Sequence, residues 1–172
     1  MPVLPAEIER RIVAFQQALQ RDGIDCAVIV EASDLVYLTG VMADAHLVVP
    51  AGDDPVLLVR RGIERVQADS PLEDVRPLCS LRDLRPIIET SGASRVGFEL
   101  DVLPAARYLR YRDLLDGLEL VDCAATLAGL RAVKSTWELD QIGRAARQLD
   151  AAFAAAPALV ATEPTDLAIQ IE

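Results

Sequence analysis

Histidine and cysteine, which supply most zinc ligands in proteins, are scarce in this sequence. His46 is the single histidine, and the three cysteines at positions 26, 79 and 123 lie far apart without a C-x-x-C pair. A zinc site needs closely spaced thiolates and imidazoles, and a disulfide framework needs an even set of cysteines. The sequence therefore predicts neither, and we expect free thiols, buried or half-buried, in a reducing cytoplasm.

Long apolar runs and basic clusters are also lacking. No stretch approaches the roughly eighteen apolar residues of a membrane helix, and the opening segment MPVLPAEIERR lacks the apolar core of a signal peptide. The net charge is −10, whereas binding to nucleic acid phosphates requires clusters of lysine and arginine. We therefore expect a cytoplasmic protein whose partners include neither a membrane nor a nucleic acid.

The glycine motifs that hold phosphate groups or an activated serine are absent as well. Neither G-x-G-x-x-G nor G-x-x-x-x-G-K occurs, which argues against dinucleotide and P-loop phosphate sites. G-x-S-x-G is also missing, and one histidine leaves a catalytic triad a single candidate base. The residues alone therefore assign no catalytic side chain.

What the sequence does contain is an alternation of helical and strand-like segments. Apolar side chains recur every three or four residues from Ile8 to Leu19, which predicts an amphipathic helix over residues 5–22. The apolar run at 26–30 is typical of a strand buried on both faces. A short helix is expected over 33–40, with Ser33 and Asp34 as its cap and Gly40 as its end.

Two apolar runs, 46–50 and 55–60, are joined by only four residues, a connection that allows an antiparallel hairpin. Further segments continue the alternation: helices at 61–69, 80–90 and 104–117, and strands at 75–78, 95–100 and 118–123. The predicted fold class is therefore α/β, a mixed sheet of about six strands with one antiparallel hairpin, flanked by helices.

A second set of elements begins near residue 129. Ser135-Thr-Trp-Glu138 has the S-x-x-E form of a capping box, which marks the start of a helix. Behind it an apolar stripe with helical spacing runs from Leu139 through Ile142, Ala146 and Leu149 to Phe153. We expect one α/β domain over residues 1–128 and the opening helices of a second domain over 129–172.

The order of these motifs resembles the N-terminal domain of the creatinase, Xaa-Pro dipeptidase (prolidase) and aminopeptidase P family. The most specific local match is Tyr37-Leu38-Thr39-Gly40, which precedes the hairpin, and LRAVKSTWELDQIGRAA is similar to the segment that enters the family's metal-binding "pita-bread" catalytic domain. The resemblance implies a ribonuclease H-like topology, and it makes Ser135, Trp137 and Glu138 the helix cap and interdomain joint. It also makes residues 164–172 the next helix, capped by Thr165.

The resemblance implies a function that this chain shares only in part. Catalysis in the family depends on two divalent metal ions (Mn, Co or Zn), held by side chains of the second domain, and no position here matches those ligands. We therefore expect no cofactor and no activity in this chain, which would serve as the non-catalytic domain of a metal-dependent peptidase. It would form a homodimer, and the loop carrying Asp44 and His46 would gate the partner subunit's active site.

Other interpretations of the same residues remain open. The chain can also be a self-standing α/β small-molecule-binding or regulatory domain, or a purely structural dimerisation module. His46 can be a hydrogen-bonded residue of an edge strand, and Arg60-Arg61 can bind an anion or simply end a strand in solvent. The helix face that carries Tyr108 and Tyr111 among Arg107, Arg110 and Arg112 can be an interface or a solvated surface.

Overall fold

A computed structural model describes residues 3–162. The chain divides into two compact units, Met1–Ala132 and Val133–Glu172. The predicted helix over residues 164–172 lies outside the described residues. Among the helices that are described, none is both long and apolar enough to cross a lipid bilayer.

The first unit is a six-stranded mixed sheet with helices on both faces, which confirms the predicted fold class. Its strands are β1 (Cys26–Ile29), β2 (Ala45–Pro50), β3 (Val56–Val59), β4 (Asp74–Pro77), β5 (Arg95–Phe98) and β6 (Glu119–Asp122). Its helices are α1 (Pro5–Asp22), α2 (Ala32–Thr39), α3 (Ile63–Asp69), α4 (Leu84–Thr90), α5 (Ala105–Leu114) and α6 (Ala124–Ala132). The second unit contains α7 (Thr136–Thr162).

The strand order is β4-β3-β2-β1-β5-β6. Strand β2 is antiparallel to both of its neighbours, β1 and β3, and the predicted hairpin is formed by β2 and β3. The other pairs in this sheet, β3–β4, β1–β5 and β5–β6, are parallel. Strand β2 is therefore an interior strand, and its side chains alternate between two buried faces.

Each face of the sheet has its own apolar core. In β1, Ala27 and Ile29 contribute to one core with α1, α2, α3 and α6, while Cys26 and Val28 contribute to the other with α4 and α5. The alternation follows from the period of two along a strand, and burial on both faces explains the continuous apolar run in the sequence.

Helix α1 confirms the helical spacing seen in the sequence. Ile8, Ile12, Phe15 and Leu19 are all buried, and the helix ends at Gly23, whose φ of 67° lies in the left-handed region. A glycine adopts that conformation without the steric cost that a Cβ would add.

Two local expectations differ from the structure. Glu31, not Ser33 or Asp34, caps α2, because its carboxylate accepts hydrogen bonds from the backbone amides of both residues. A single 3-10 turn, Leu81–Asp83, separates the Ser80 capping box from α4. Helix α6 spans the predicted boundary at residue 128, and its Leu127 is fully buried in the core with side chains of α1.

The thiols also differ in one respect from the expectation. Cys26 and Cys123 are buried, and burial raises the pKa of each thiol, so both stay protonated and unreactive near neutral pH. Cys79, in contrast, is exposed. It follows a strand that carries only one buried side chain, Val75, so the chain leaves the core at this point.

Candidate functional site

A pocket of about 340 Å³ opens where β1 ends and β2 begins. Strand ends, two loops and one face of α5 form its walls. We call it the arginine pocket, and its lining residues are Val30, Ala32, Ala43, Asp44, Ala45, His46, Arg60, Leu81, Arg107, Arg110 and Tyr111. Its volume falls within the range of pockets that bind small molecules, roughly 300–1,000 Å³.

The buried wall of the arginine pocket is a histidine–tyrosine pair. His46 lies on the interior strand β2 and is 5% exposed, and its Nε2 lies 2.6 Å from the hydroxyl oxygen of Tyr111. The Tyr111 ring also packs against Phe98, with 4.9 Å between ring centroids. His46 is therefore hydrogen-bonded, as one interpretation of the sequence held, but it does not belong to an edge strand.

The imidazole of His46 is held in its neutral form at neutral pH. Burial, the positive charges of Arg60 and Arg107, and a weaker opposing effect of Asp44 together lower the pKa of His46 to about 4. Its Nδ1 is buried without a hydrogen-bond partner among the described residues. Burial likewise raises the pKa of Tyr111, so the pair carries no charge at neutral pH.

Arginines supply the charge of the pocket. Arg60 follows β3, and its backbone amide donates to the carbonyl oxygen of Asp44, 2.9 Å away, across the β2–β3 pair. Its guanidinium Nε lies 3.7 Å from Asp44 Oδ2. Arg107 and Arg110 lie three positions apart on α5, so they share one helix face.

The two predicted gating residues thus line one pocket in different ways. Asp44 is 59% exposed at the rim, where it pairs with Arg60, whereas His46 is buried in the wall. Sequence reasoning noted Arg60 and the arginines of α5 as separate features. It did not bring them together, because Arg60 and Arg107 lie 47 positions apart in the sequence and the sheet order was not predicted.

The Tyr37–Gly40 motif forms the last turn of α2 and leads towards Asp44. Leu38 and Thr39 are buried, and the Thr39 hydroxyl donates to the carbonyl oxygen of Leu35 at 2.7 Å. Gly40 ends the helix with a φ of 75°, a value that favours glycine. The motif therefore shapes the turn before the loop to β2.

Tyr37 is held from two sides. The Arg11 guanidinium lies 4.3 Å from the centroid of the Tyr37 ring and donates to the Tyr37 carbonyl oxygen at 2.8 Å. Arg11 itself is 3% exposed and pairs with Glu7 at 3.0 Å. Such a buried, paired cation over an aromatic ring positions α1 against α2.

The start of α7 has the two reciprocal hydrogen bonds of a capping box. The Ser135 amide donates to Glu138 Oε2 at 2.8 Å, and the Glu138 amide donates to Ser135 Oγ at 3.1 Å. Trp137, between them, is half-buried. Beyond them four members of the apolar stripe are exposed by more than half: Leu139, Ile142, Leu149 and Phe153.

Glu99 is a buried carboxylate that sequence reasoning missed, because RVGFEL was identified only as a strand. It is 1% exposed, and its Oε2 accepts hydrogen bonds from the amides of Val30 and Glu31 at 2.8 and 3.1 Å. Burial outweighs these bonds and, with Asp34 nearby, raises the pKa of Glu99 to about 7. A charged residue that ends an apolar strand is the one signal that sequence offered.

Glu31, Asp34 and Glu99 bring three carboxylates within 4.8 Å, the one metal-ligand grouping within residues 3–162. The group contains no histidine, and donors already occupy it: Glu31 accepts from two backbone amides and Asp34 pairs with Arg131 at 2.6 Å. A raised pKa at Glu99 also favours the neutral acid over a metal-binding carboxylate. These residues do not fit a two-metal hydrolytic centre.

Comparison with known proteins agrees with the resemblance noted in the sequence. The profile of the family described as "Creatinase/Prolidase N-terminal domain" matches residues 11–133. The "Uncharacterized peptidase YqhT" of Bacillus subtilis (strain 168) is 26% identical over 142 residues, which cover 76% of this chain and 38% of that protein. The chain therefore spans well under half of this curated relative.

Two solved structures show the same fold. Dipeptidase PepE from Mycobacterium ulcerans is 27% identical with a TM-score of 0.74, covering 93% of this chain and 46% of that one. The N-terminal domain of the cytoplasmic peptidase PepQ from Mycobacterium tuberculosis H37Rv is 24% identical with a TM-score of 0.65. There the match covers 70% of this chain and 98% of the other.

Proposed function

The chain belongs to the creatinase/prolidase N-terminal domain family, and on that premise we propose that it is the non-catalytic domain of a metal-dependent Xaa-Pro peptidase or creatinase-like hydrolase. Its own work is dimerisation and gating of the partner subunit's active site, and it acts in the cytoplasm. The catalytic domain belongs to the same polypeptide and begins near residue 129.

The exposed stripe of α7 is the observation that carries this proposal. Leu139, Ile142, Leu149 and Phe153 are 58%, 53%, 57% and 69% exposed. An apolar helix face of this size is stable in water when another element covers it. A catalytic domain that continues from α7 supplies that cover, and the greater length of the peptidase relatives is consistent with it.

Catalysis in this proposal takes place outside the present chain. When bound in the catalytic domain, two divalent metal ions (Mn, Co or Zn) supply the activated water for hydrolysis. Incubation of the 172-residue chain with Mn²⁺ or Co²⁺ and Xaa-Pro dipeptides should release no free proline. Metal-dependent turnover by the purified chain would overturn the assignment of a non-catalytic domain.

Dimerisation is the second part of the proposal, and the surface of α5 supports it. Leu109 is 45% exposed, beside Arg112, which is also exposed, and exposed aliphatic and arginine side chains suit an interface. Sedimentation equilibrium should show a concentration-dependent dimer of the chain or of its longer parent. A monomer at every concentration for both proteins would contradict this part.

Gating is the third part, and it requires the longer protein. Met42, in the loop between α2 and Asp44, is 72% exposed, so this loop can reach a neighbouring subunit. We expect Asp44→Asn and His46→Ala to lower kcat/KM of the parent enzyme. Unchanged kcat/KM in a folded His46→Ala enzyme would remove the gating role of that residue.

A self-standing small-molecule-binding domain is the second candidate, and the arginine pocket favours it. The two candidates differ in what the gene encodes after α7. A parent sequence that contains two Asp, one His and two Glu as metal ligands supports the peptidase. Tight binding of a metabolite to a chain without such a continuation supports the binding domain.

A further inference from the structure

The arginine pocket carries more positive than negative charge, although the chain as a whole has a net charge of −10. Three arginines line it and a single carboxylate, Asp44, opposes them. Asp44 approaches Arg60, at 3.7 Å. Within residues 3–162, Arg107 and Arg110 form no ion pair with any carboxylate, so two positive charges remain uncompensated.

Most of the described arginines have a carboxylate partner, although Arg61, Arg82 and Arg147, outside the pocket, also form no ion pair within residues 3–162. Arg65, Arg85, Arg95 and Arg112, for example, each lie within 3.5 Å of a carboxylate oxygen. The neutral His46–Tyr111 pair in the wall offers Arg107 and Arg110 no charge to balance theirs. Since Arg107 and Arg110 are both exposed, an anion from solution can reach them and supply that charge.

We propose that the arginine pocket binds a small carboxylate with a short apolar body, its carboxylate held by Arg107 and Arg110 and its body against Val30 and Leu81. The guanidinium group matches a carboxylate in plane and can donate two parallel hydrogen bonds. Arg60 is the third cation and is anchored by Asp44 at the rim. The site binds its ligand whether or not the proposed catalytic domain exists.

The apolar part of the lining offers the body of a small carboxylate a contact that inorganic phosphate cannot make. Five of its residues, Val30, Ala32, Ala43, Ala45 and Leu81, have side chains that form no hydrogen bonds. A phosphate has oxygens on every side and needs donors around it, whereas a carboxylate presents two oxygens at one end and leaves its body to apolar contacts.

The test is an NMR titration of the full, isotope-labelled chain at constant ionic strength. Sodium butyrate is the probe, and butyramide has the same shape without the charge. Butyrate should shift the backbone amide signals of Ala45, Arg107 and Tyr111 in a saturable manner, and butyramide should not. Inorganic phosphate should shift the same amide signals, but with a lower affinity than butyrate.

Substitutions locate the binding. Arg107→Gln and Arg110→Gln should each weaken butyrate binding about tenfold, because each removes a charge-assisted hydrogen bond. Arg112→Gln lies on the same helix outside the pocket and should change the affinity by less than about twofold. Both pocket arginines are exposed, so their variants should keep the dispersed spectrum of the folded chain.

The remaining outcomes refute the proposal. An absence of saturable shifts with butyrate, or equal shifts with butyramide, rules out a carboxylate site. Equal weakening by Arg112→Gln shows a diffuse charge effect. Saturation by phosphate without any response to butyrate overturns the assignment of the ligand. Since every measurement uses this chain alone, failure here leaves the peptidase proposal to its own tests.

Discussion

Replacement of Glu99 by glutamine should change how the stability of the first unit depends on pH. The carboxylate of Glu99 is 1% exposed, its Oε1 has no hydrogen-bond partner among the described residues, and Asp34 lies nearby. Burial and this neighbour raise its pKa from the ordinary 4.5 to about 7. The folded state therefore binds the Glu99 proton more tightly than the unfolded state does.

The sign of the effect follows from that difference. The stabilising contribution of protonated Glu99 is complete below pH 4.5 and is lost as the pH rises through about 7. Each pH unit between the two pKa values is worth about 1.4 kcal/mol, so the loss amounts to about 3 kcal/mol. Glutamine resembles the protonated acid and does not titrate. The Glu99→Gln variant therefore keeps this stabilising contribution at every pH.

Urea unfolding at several pH values between 4.5 and 8, followed by NMR signals of β1 and β5 amides, measures the difference. We expect Glu99→Gln to gain about 3 kcal/mol relative to the unsubstituted chain across this range. Glu9→Gln, at an exposed position of α1, should change the free energy of unfolding by less than about 0.5 kcal/mol throughout. A difference for Glu99→Gln that stays constant with pH, or grows towards low pH, would refute the reasoning.

Three further substitutions test the packing around the site. Tyr111→Phe should cost about 1–3 kcal/mol of unfolding free energy, because it leaves a buried histidine nitrogen unpaired, while Tyr108→Phe should cost less than about 0.5 kcal/mol; equal costs in urea unfolding would contradict this. Gly97→Ala should cost about 1–3 kcal/mol, since its Cβ would lie 3.1 Å from the Cβ of Cys123, and an unchanged thermal midpoint would show that the sheet can yield. Glu31→Ala should lower the free energy of unfolding by about 1 kcal/mol, because it removes the cap of α2. The amides in the first turn of α2 should then exchange faster with solvent. Unchanged exchange there would show that Glu31 is not the cap.

Local patterns predicted the elements of the fold well. Burial on one face gives α1 its period near 3.6, and burial on both faces gives β1 its continuous apolar run. The four residues between the apolar runs 46–50 and 55–60 are too few for a crossover and allow only a hairpin. These features depend on neighbours in the sequence, so the sequence displays them directly.

The candidate site was predicted only in pieces, because the order of the strands brings it together. His46 begins a strand after a loop, which suggested an edge, yet β1 and β3 pair on both sides of it. Arg60 and Arg107 line the same pocket because the chain crosses from β4 at one edge of the sheet to β5 beside β1, which places α5 near the end of β3. The periodicity of the sequence does not predict such a crossing. Glu99 was not predicted as a site residue, because a single carboxylate at a strand end forms no recognisable sequence motif.

The division of the chain at Ala132 also separates its chromophores. All three tyrosines, at positions 37, 108 and 111, lie in the first unit, and the single tryptophan, Trp137, lies in the second. Tryptophan emission therefore reports on the start of α7, and the tyrosine bands resolved in the derivative absorbance spectrum report on the sheet domain. One unmodified sample thus yields two separate melting curves, which show directly whether the units unfold together or one after the other.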